Sequence, residues 1–256
     1  MNFDTWQWAA LFAGAFLAGF SKTGVAGIGI LFVALFANVF SSAKEATGVV
    51  LPLLIAGDLV AVFFYRAHAR GRHFWRLFPW SALGVVVGFF TMGSIDDAQA
   101  RVLIGGIVLG FSLLHVWRRW RLSRIRAAAG RSPHEEEPPP AWFAPFIGTL
   151  AGFTTLVANA AGPLVTIFFL AVRLPKMEFV GTGAVLFLVL NWFKLPFMTH
   201  LGLVTATSLR LNLVLIPAVI AGALTGRWLL ARVNQTLFEV LALAFGALAG
   251  IKLLVG

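Results

Sequence analysis

Apolar runs about as long as a bilayer is thick recur along this whole chain, and they restrict what it can fold into more than any other feature. They lie near 6–40, 46–65, 77–95, 99–117, 142–172, 178–199, 208–228 and 236–255. A helix rising 1.5 Å per residue crosses about 30 Å of hydrocarbon in about 20 residues. Inside hydrocarbon the backbone must satisfy its own N–H and C=O groups, so such runs fold as helices. Only 12% of the 256 residues are charged and 59% are hydrophobic, with a mean hydropathy of +0.89. An average soluble domain carries about 25% charged residues. The chain therefore reads as an all-α polytopic membrane protein. Its start, MNFDTWQW, has an acid and no basic residue, unlike the positive n-region of a cleaved signal peptide.

The net charge of +10 belongs to the segments between the runs. Arg66, Arg70, Arg72 and Arg76 crowd one of them; Arg118, Arg119, Arg121, Arg124, Arg126 and Arg131 crowd another. In a soluble protein such clusters would point to nucleic acid, but beside membrane spans they mark the cytoplasmic side. Nucleic-acid binding is set aside on that ground. The second cluster runs into RSPHEEEPPP, whose charge and proline suit a disordered linker. The expected organisation is a first transmembrane repeat at 1–118, a cytoplasmic linker at 119–140 and a second repeat at 141–256. Most tryptophans lie near the ends of the runs, as in the aromatic belts of membrane proteins, and Trp192 is the exception.

The two halves resemble each other. An offset of 133 residues aligns LAGFSKTGVAGIG (17–29) with LAGFTTLVANAAG (150–162), and pairs Glu45 with Glu178, Gly48 with Gly181 and Asp58 with Asn191. An offset of 138 then pairs Gly84 with Gly222 and Gly88 with Gly226. Internal repeats of this kind typify secondary transporters. If 6–40 crossed the membrane once, each half would make four crossings and the halves would be parallel. If 6–40 and 142–172 each fold as two half-helices returning to their own side, each half makes three full crossings and the repeats are inverted. The second arrangement gathers Arg173, Lys176, Arg227 and Arg232 on the cytoplasmic side with the two arginine clusters, and leaves Asp96 and Asp97 outside. It also puts both chain ends outside.

A broken helix explains why Lys22, Gly24, Gly27 and Gly29 interrupt the first run. At 1.5 Å per residue, that run makes about 50 Å of helix, too long for one upright crossing. Glycines permit a sharp turn, and non-helical backbone at membrane depth is tolerated only where protein or water lines it. A half-helix beginning near Gly24 would turn free N–H groups toward an anion, with Lys22 adding a full charge. Thr23 flanks that turn; Thr154, Thr155 and Asn159 occupy the corresponding turn of the second half. Asn191 and Lys194, spaced i, i+3, share a helix face, and Pro196 can loosen the backbone beyond them. Both lysines have an alternative role, snorkelling to the interface, and Asn159 one as a helix cap.

GFSKTGVAGIG, its repeat GFTTLVANAAGP, and NWFKLPFMTHLG at 191–202 resemble the motifs of the TauE/SafE family of sulfite and organosulfonate exporters. The likeness covers nearly the whole chain, in motif order and two-half layout. It implies a secondary transporter exporting a small sulfur-containing anion across a bacterial cytoplasmic membrane, with the anion site between the two broken elements. Phe197 stands where the family often has tyrosine.

Asp58 is the one carboxylate deep within a run and a proton-coupling candidate; pairing with Lys22 or Lys194 is the other reading. Glu45 and Glu178 suit helix N-termini. The sequence contains no cysteine and its five histidines have no metal-binding spacing, so no metal or other cofactor is expected. GVAGIG lacks a preceding strand, and GFSKTG lacks the glycine that must precede a Walker lysine. No nucleophile–base constellation supports an enzyme. The implied partners are a small anion and the bilayer, with a homo-oligomer compatible; an anion channel, or a carrier for another small anion, is the alternative function. With the cytoplasm negative, moving one negative charge outward gains about 2.3 kcal/mol per 100 mV, so export needs little coupling machinery.

Overall fold

The computed structural model describes residues 3–24, 29–40, 43–92 and 139–255, together with Gly106 and Gly110. The expected span at 99–117, apart from helical Gly106 and Gly110, lies outside the described residues. So do 119–138 of the expected linker, Gly27, Asp96 and Asp97. The described secondary structure is helical: α1 Thr5–Thr23, α2 Gly29–Val39, α3 Ala43–Tyr65, α4 Gly71–Thr91, α5 Phe143–Ala158, α6 Gly162–Ala171, α7 Lys176–His200, α8 Ala206–Arg232 and α9 Gln235–Val255. A short 3-10 turn, Arg66–His68, joins α3 to α4. Lys44–His68, Gly71–Thr91, Lys176–His200 and Ala206–Arg232 are long and apolar enough to cross a membrane. Large apolar side chains face outward from these segments, among them Phe63 at 70%, Phe90 at 74% and Leu213 at 69% exposure. Water would not tolerate such a rim; lipid does.

Both long apolar runs break. Each forms a helical hairpin whose open end is pinned by aromatic contact. The ring of Phe3, before α1, lies 6.0 Å from that of Phe40, after α2. The Phe143 ring, at the start of α5, stacks 6.0 Å from Phe168 near the end of α6. Among the described residues the arms run to 19 and 11 residues in the first hairpin and 16 and 10 in the second. The first hairpin's returning helix is described over Gly29–Val39; residues 25–28, which would decide the expected start near Gly24, lie outside the described residues. The first arm ends at Gly24, whose N–H donates to the Phe20 carbonyl oxygen at 2.8 Å. The second turn is made by Asn159 in the left-handed region (φ 52°), with its N–H on the Thr155 carbonyl at 3.1 Å. Asparagine is one of the few side chains that adopts this conformation readily.

The halves are interlocked. α1 of the first hairpin packs on α8, and α5 of the second packs on α4. The closest approaches are glycine against carbonyl: a Cβ on Gly19 would strike the Val219 carbonyl, and one on Gly152 would strike that of Ser81. Gly222 meets Phe16 in the same way, and Gly84 meets Thr149. Under the offsets of 133 and 138 these are the same contacts with the halves exchanged. Small residues allow such backbone proximity, which drives helix association in lipid, where burial from water contributes nothing. Between the hairpins, α3 packs on α7. Gly48, early in α3, abuts Leu203 beyond the end of α7, and Gly181, early in α7, abuts Tyr65 to Ala69. α3 and α7 therefore run antiparallel.

Candidate functional site

Lys22 closes the last turn of α1 and points inward. Its Nζ lies 2.8 Å from Oδ1 of Asp58, midway along α3, and 4.6 Å from the centroid of the Phe187 ring on α7. Asp58 is fully buried, and its second carboxylate oxygen, Oδ2, accepts a hydrogen bond from Asn191 Nδ2 at 2.6 Å. One carboxylate thus joins the first hairpin, α3 and α7. The Asp58–Asn191 bond links two residues that the 133 offset makes equivalent.

Lys194, one turn beyond Asn191, is fully buried and serves the other hairpin. Its ammonium donates to the carbonyl and hydroxyl oxygens of Thr155, each at 3.1 Å, and to Asn159 Oδ1 at 2.5 Å. The Asn159 amide nitrogen continues the chain of bonds to the Thr47 carbonyl on α3 at 3.1 Å. Every hydrogen-bond partner of this ammonium among the described residues is neutral. Burying an ammonium is costly unless all its protons find acceptors, and three acceptors meet that need here.

The two hairpin turns stand at different depths. Thr47 meets the second hairpin's turn and Asp58 meets Lys22; the 11 residues between them rise about 16 Å along α3. Farther along α3, Tyr65 donates its hydroxyl to the Thr23 carbonyl at 3.4 Å. The hairpin turns therefore pass each other instead of meeting end to end. The cause is arm length: the 19 residues of α1 make about 28 Å of helix.

A cavity of about 110 Å³ opens between the turns. Its wall includes Lys22, Gly24, Asp58, Thr155, Asn159 and Asn191, and the backbone from Ala158 to Pro163. Apolar side chains complete it, notably Phe32, Leu54, Phe169, Phe179 and Phe187. The remaining expected site residues stand elsewhere. Lys194 is one layer behind the wall, held against it through Thr155 and Asn159. Thr23 is spent on a hydrogen bond to the Ala223 carbonyl of α8 at 2.5 Å, and Thr154 on the Ala151 carbonyl of its own helix at 3.2 Å. Neither lysine reaches toward lipid or headgroups. Among the described residues, no group of three or more His, Cys, Asp or Glu side chains is placed to hold a metal.

The family model for "Sulfite exporter TauE/SafE" matches residues 11–253. The chain belongs to the TauE/SafE family. No curated protein and no solved structure gives a significant match. Membership makes the chain a multi-pass membrane transporter of the sulfite-exporter type, not an enzyme.

In this TauE/SafE member several residues that shape the cavity were not picked out by sequence reasoning. Phe187 escaped notice because aromatics are abundant in the apolar runs; its position four residues before Asn191 on the same face of α7 was the available signal. Thr47 acts through its backbone carbonyl, which no side-chain pattern reports. Thr166, 2% exposed and on the cavity wall, reads in sequence as one more small residue in an apolar helix. Phe197, at the position where the family often has tyrosine, packs 5.2 Å from Phe89 and 5.5 Å from Phe193 in an aromatic cluster.

Proposed function

We propose that this protein exports a small sulfur-containing anion, sulfite or an organosulfonate, across a bacterial cytoplasmic membrane, and that the cavity between the two hairpin turns is its binding site. The observation that carries this reading is the convergence of Lys22, Asn191, Thr155 and Asn159 on one cavity with a single carboxylate in its wall. Lys22 supplies the charge, while Lys194 holds the Thr155–Asn159 wall and adds positive potential behind it. Thr23, Gly24 and Thr154 shape the turns. The aromatic and aliphatic part of the wall suits an organosulfonate tail better than bare sulfite, because a desolvated inorganic ion gains nothing from apolar contact.

In this reading 1–118 and 141–256 are inverted repeats joined by a cytoplasmic linker at 119–140. The antiparallel α3 and α7 and the exchanged glycine contacts support it. Asp58 holds Lys22 when no anion is bound. An entering anion competes for that ammonium, and the buried carboxylate left behind is neutralised most cheaply by a proton, which couples transport to pH.

The test is flux from proteoliposomes containing the purified protein, against sulfite, short alkanesulfonates, sulfate and carboxylates. Saturable flux with counterflow is expected for sulfonates or sulfite. Transport of carboxylates in preference to every sulfur anion would refute the assignment, and flux without saturation or counterflow would make the protein a channel.

A further inference from the structure

The second hairpin carries a feature that the lysines do not explain. α6 begins at Gly162, directly on the cavity, with Ala160, Ala161, Gly162 and Pro163 all in its wall. The N–H groups of Ala161, Gly162 and Leu164 have no acceptor among the described residues. The first N–H groups of any helix lack intrahelical partners, and they sit at the positive end of its dipole. One turn on, Thr166 is 2% exposed, lines the same cavity, and donates no hydrogen bond among the described residues. Thr149 and Thr154, on the preceding helix, instead fold their hydroxyls back onto backbone carbonyls at 2.9 and 3.2 Å. A Cβ on Gly162 would meet nothing within 4 Å, so the start of α6 borders open space.

We propose that the start of α6 and the Thr166 hydroxyl form the seat for the oxygens of a singly charged sulfonate or sulfite-type group. Lys22 neutralises its charge from the facing hairpin. The seat explains how one cation, already shared with Asp58, suffices: N–H and O–H donors replace the water that the anion loses, as charge-assisted hydrogen bonds. The inference rests on the cavity being the anion site.

The experiment is thermal unfolding of the purified full-length protein in detergent over a methanesulfonate titration. The wild type is expected to melt at a higher temperature as methanesulfonate rises. Thr166→Val should weaken the apparent affinity about tenfold, the usual cost of one hydrogen bond to a charged group. Gly162→Asp, which places a resident carboxylate at the free N–H groups, should melt above the anion-free wild type and gain nothing further from methanesulfonate. Gly71→Asp makes the same change at the start of α4, where a Cβ also meets open space, and should titrate like the wild type. Wild-type affinity in Thr166→Val or in Gly162→Asp would overturn the seat while leaving the cavity assignment standing. A wild type that methanesulfonate does not stabilise at any concentration would overturn both.

Discussion

Asp58 decides what each of its neighbours can do. Fully buried between Lys22 and Asn191, it keeps the Lys22 ammonium inside the protein and competes with any anion for it. Removing one partner of a buried ion pair costs about 3–5 kcal/mol, because the other charge is stranded. Lys22→Ala should therefore lower the unfolding midpoint in detergent, and adding Asp58→Asn should recover most of the loss, since an amide needs no counter-charge. Recovery of nothing would mean the pair does not contribute in this way. Asp58→Asn alone should insert and fold, yet flatten the pH dependence of flux; a pH profile identical to the wild type would remove Asp58 from coupling. The sequence announced the chemistry of these residues but not their pairing. A lysine, an acid and an amide stood out in apolar runs because each is costly there. Which lysine Asp58 holds depends on how far each hairpin reaches, and no local pattern encodes that.

At the scale of elements, helix breaks were legible from run length and glycine content, and both occur within the expected segments. Turn depth was not legible, because how far each hairpin reaches is a matter of its packing against α8 and α4, which no local pattern encodes. Those contacts rest on glycine. Gly19 on Val219 and Gly152 on Ser81 leave no room for a side chain, and the obstacle in each case is a backbone carbonyl that cannot move aside. Inserting volume into such a site typically costs about 1–3 kcal/mol or more. Gly19→Val and Gly152→Val should each lower the midpoint of tryptophan-monitored unfolding, by similar amounts, because the two contacts exchange under the repeat. A large loss in one and none in the other would argue against equivalent halves.

For the whole molecule, the inverted arrangement predicts that both termini face the periplasm while the 119–140 segment is cytoplasmic. The chain contains no cysteine, so single cysteines at Ser132 and near either end can be labelled with an impermeant reagent in intact cells. Labelling at the ends but not at position 132 is expected; cytoplasmic termini would contradict the inversion. The repeat was inferred from fixed offsets and its orientation from the positive segments, both properties of the chain as a whole, and the labelling tests both. The place of the cavity between the hairpins was expected, but its lining was only partly readable, because it is made of backbone and aromatic wall as much as of charge. Its role is tested most directly by efflux of methanesulfonate from proteoliposomes under a clamped, inside-negative potential, comparing wild type with Lys22→Ala/Asp58→Asn. Saturable efflux from the wild type, reduced on the order of a hundredfold in the folded double variant, is the predicted result. Equal efflux from both would show that the anion does not pass through this cavity.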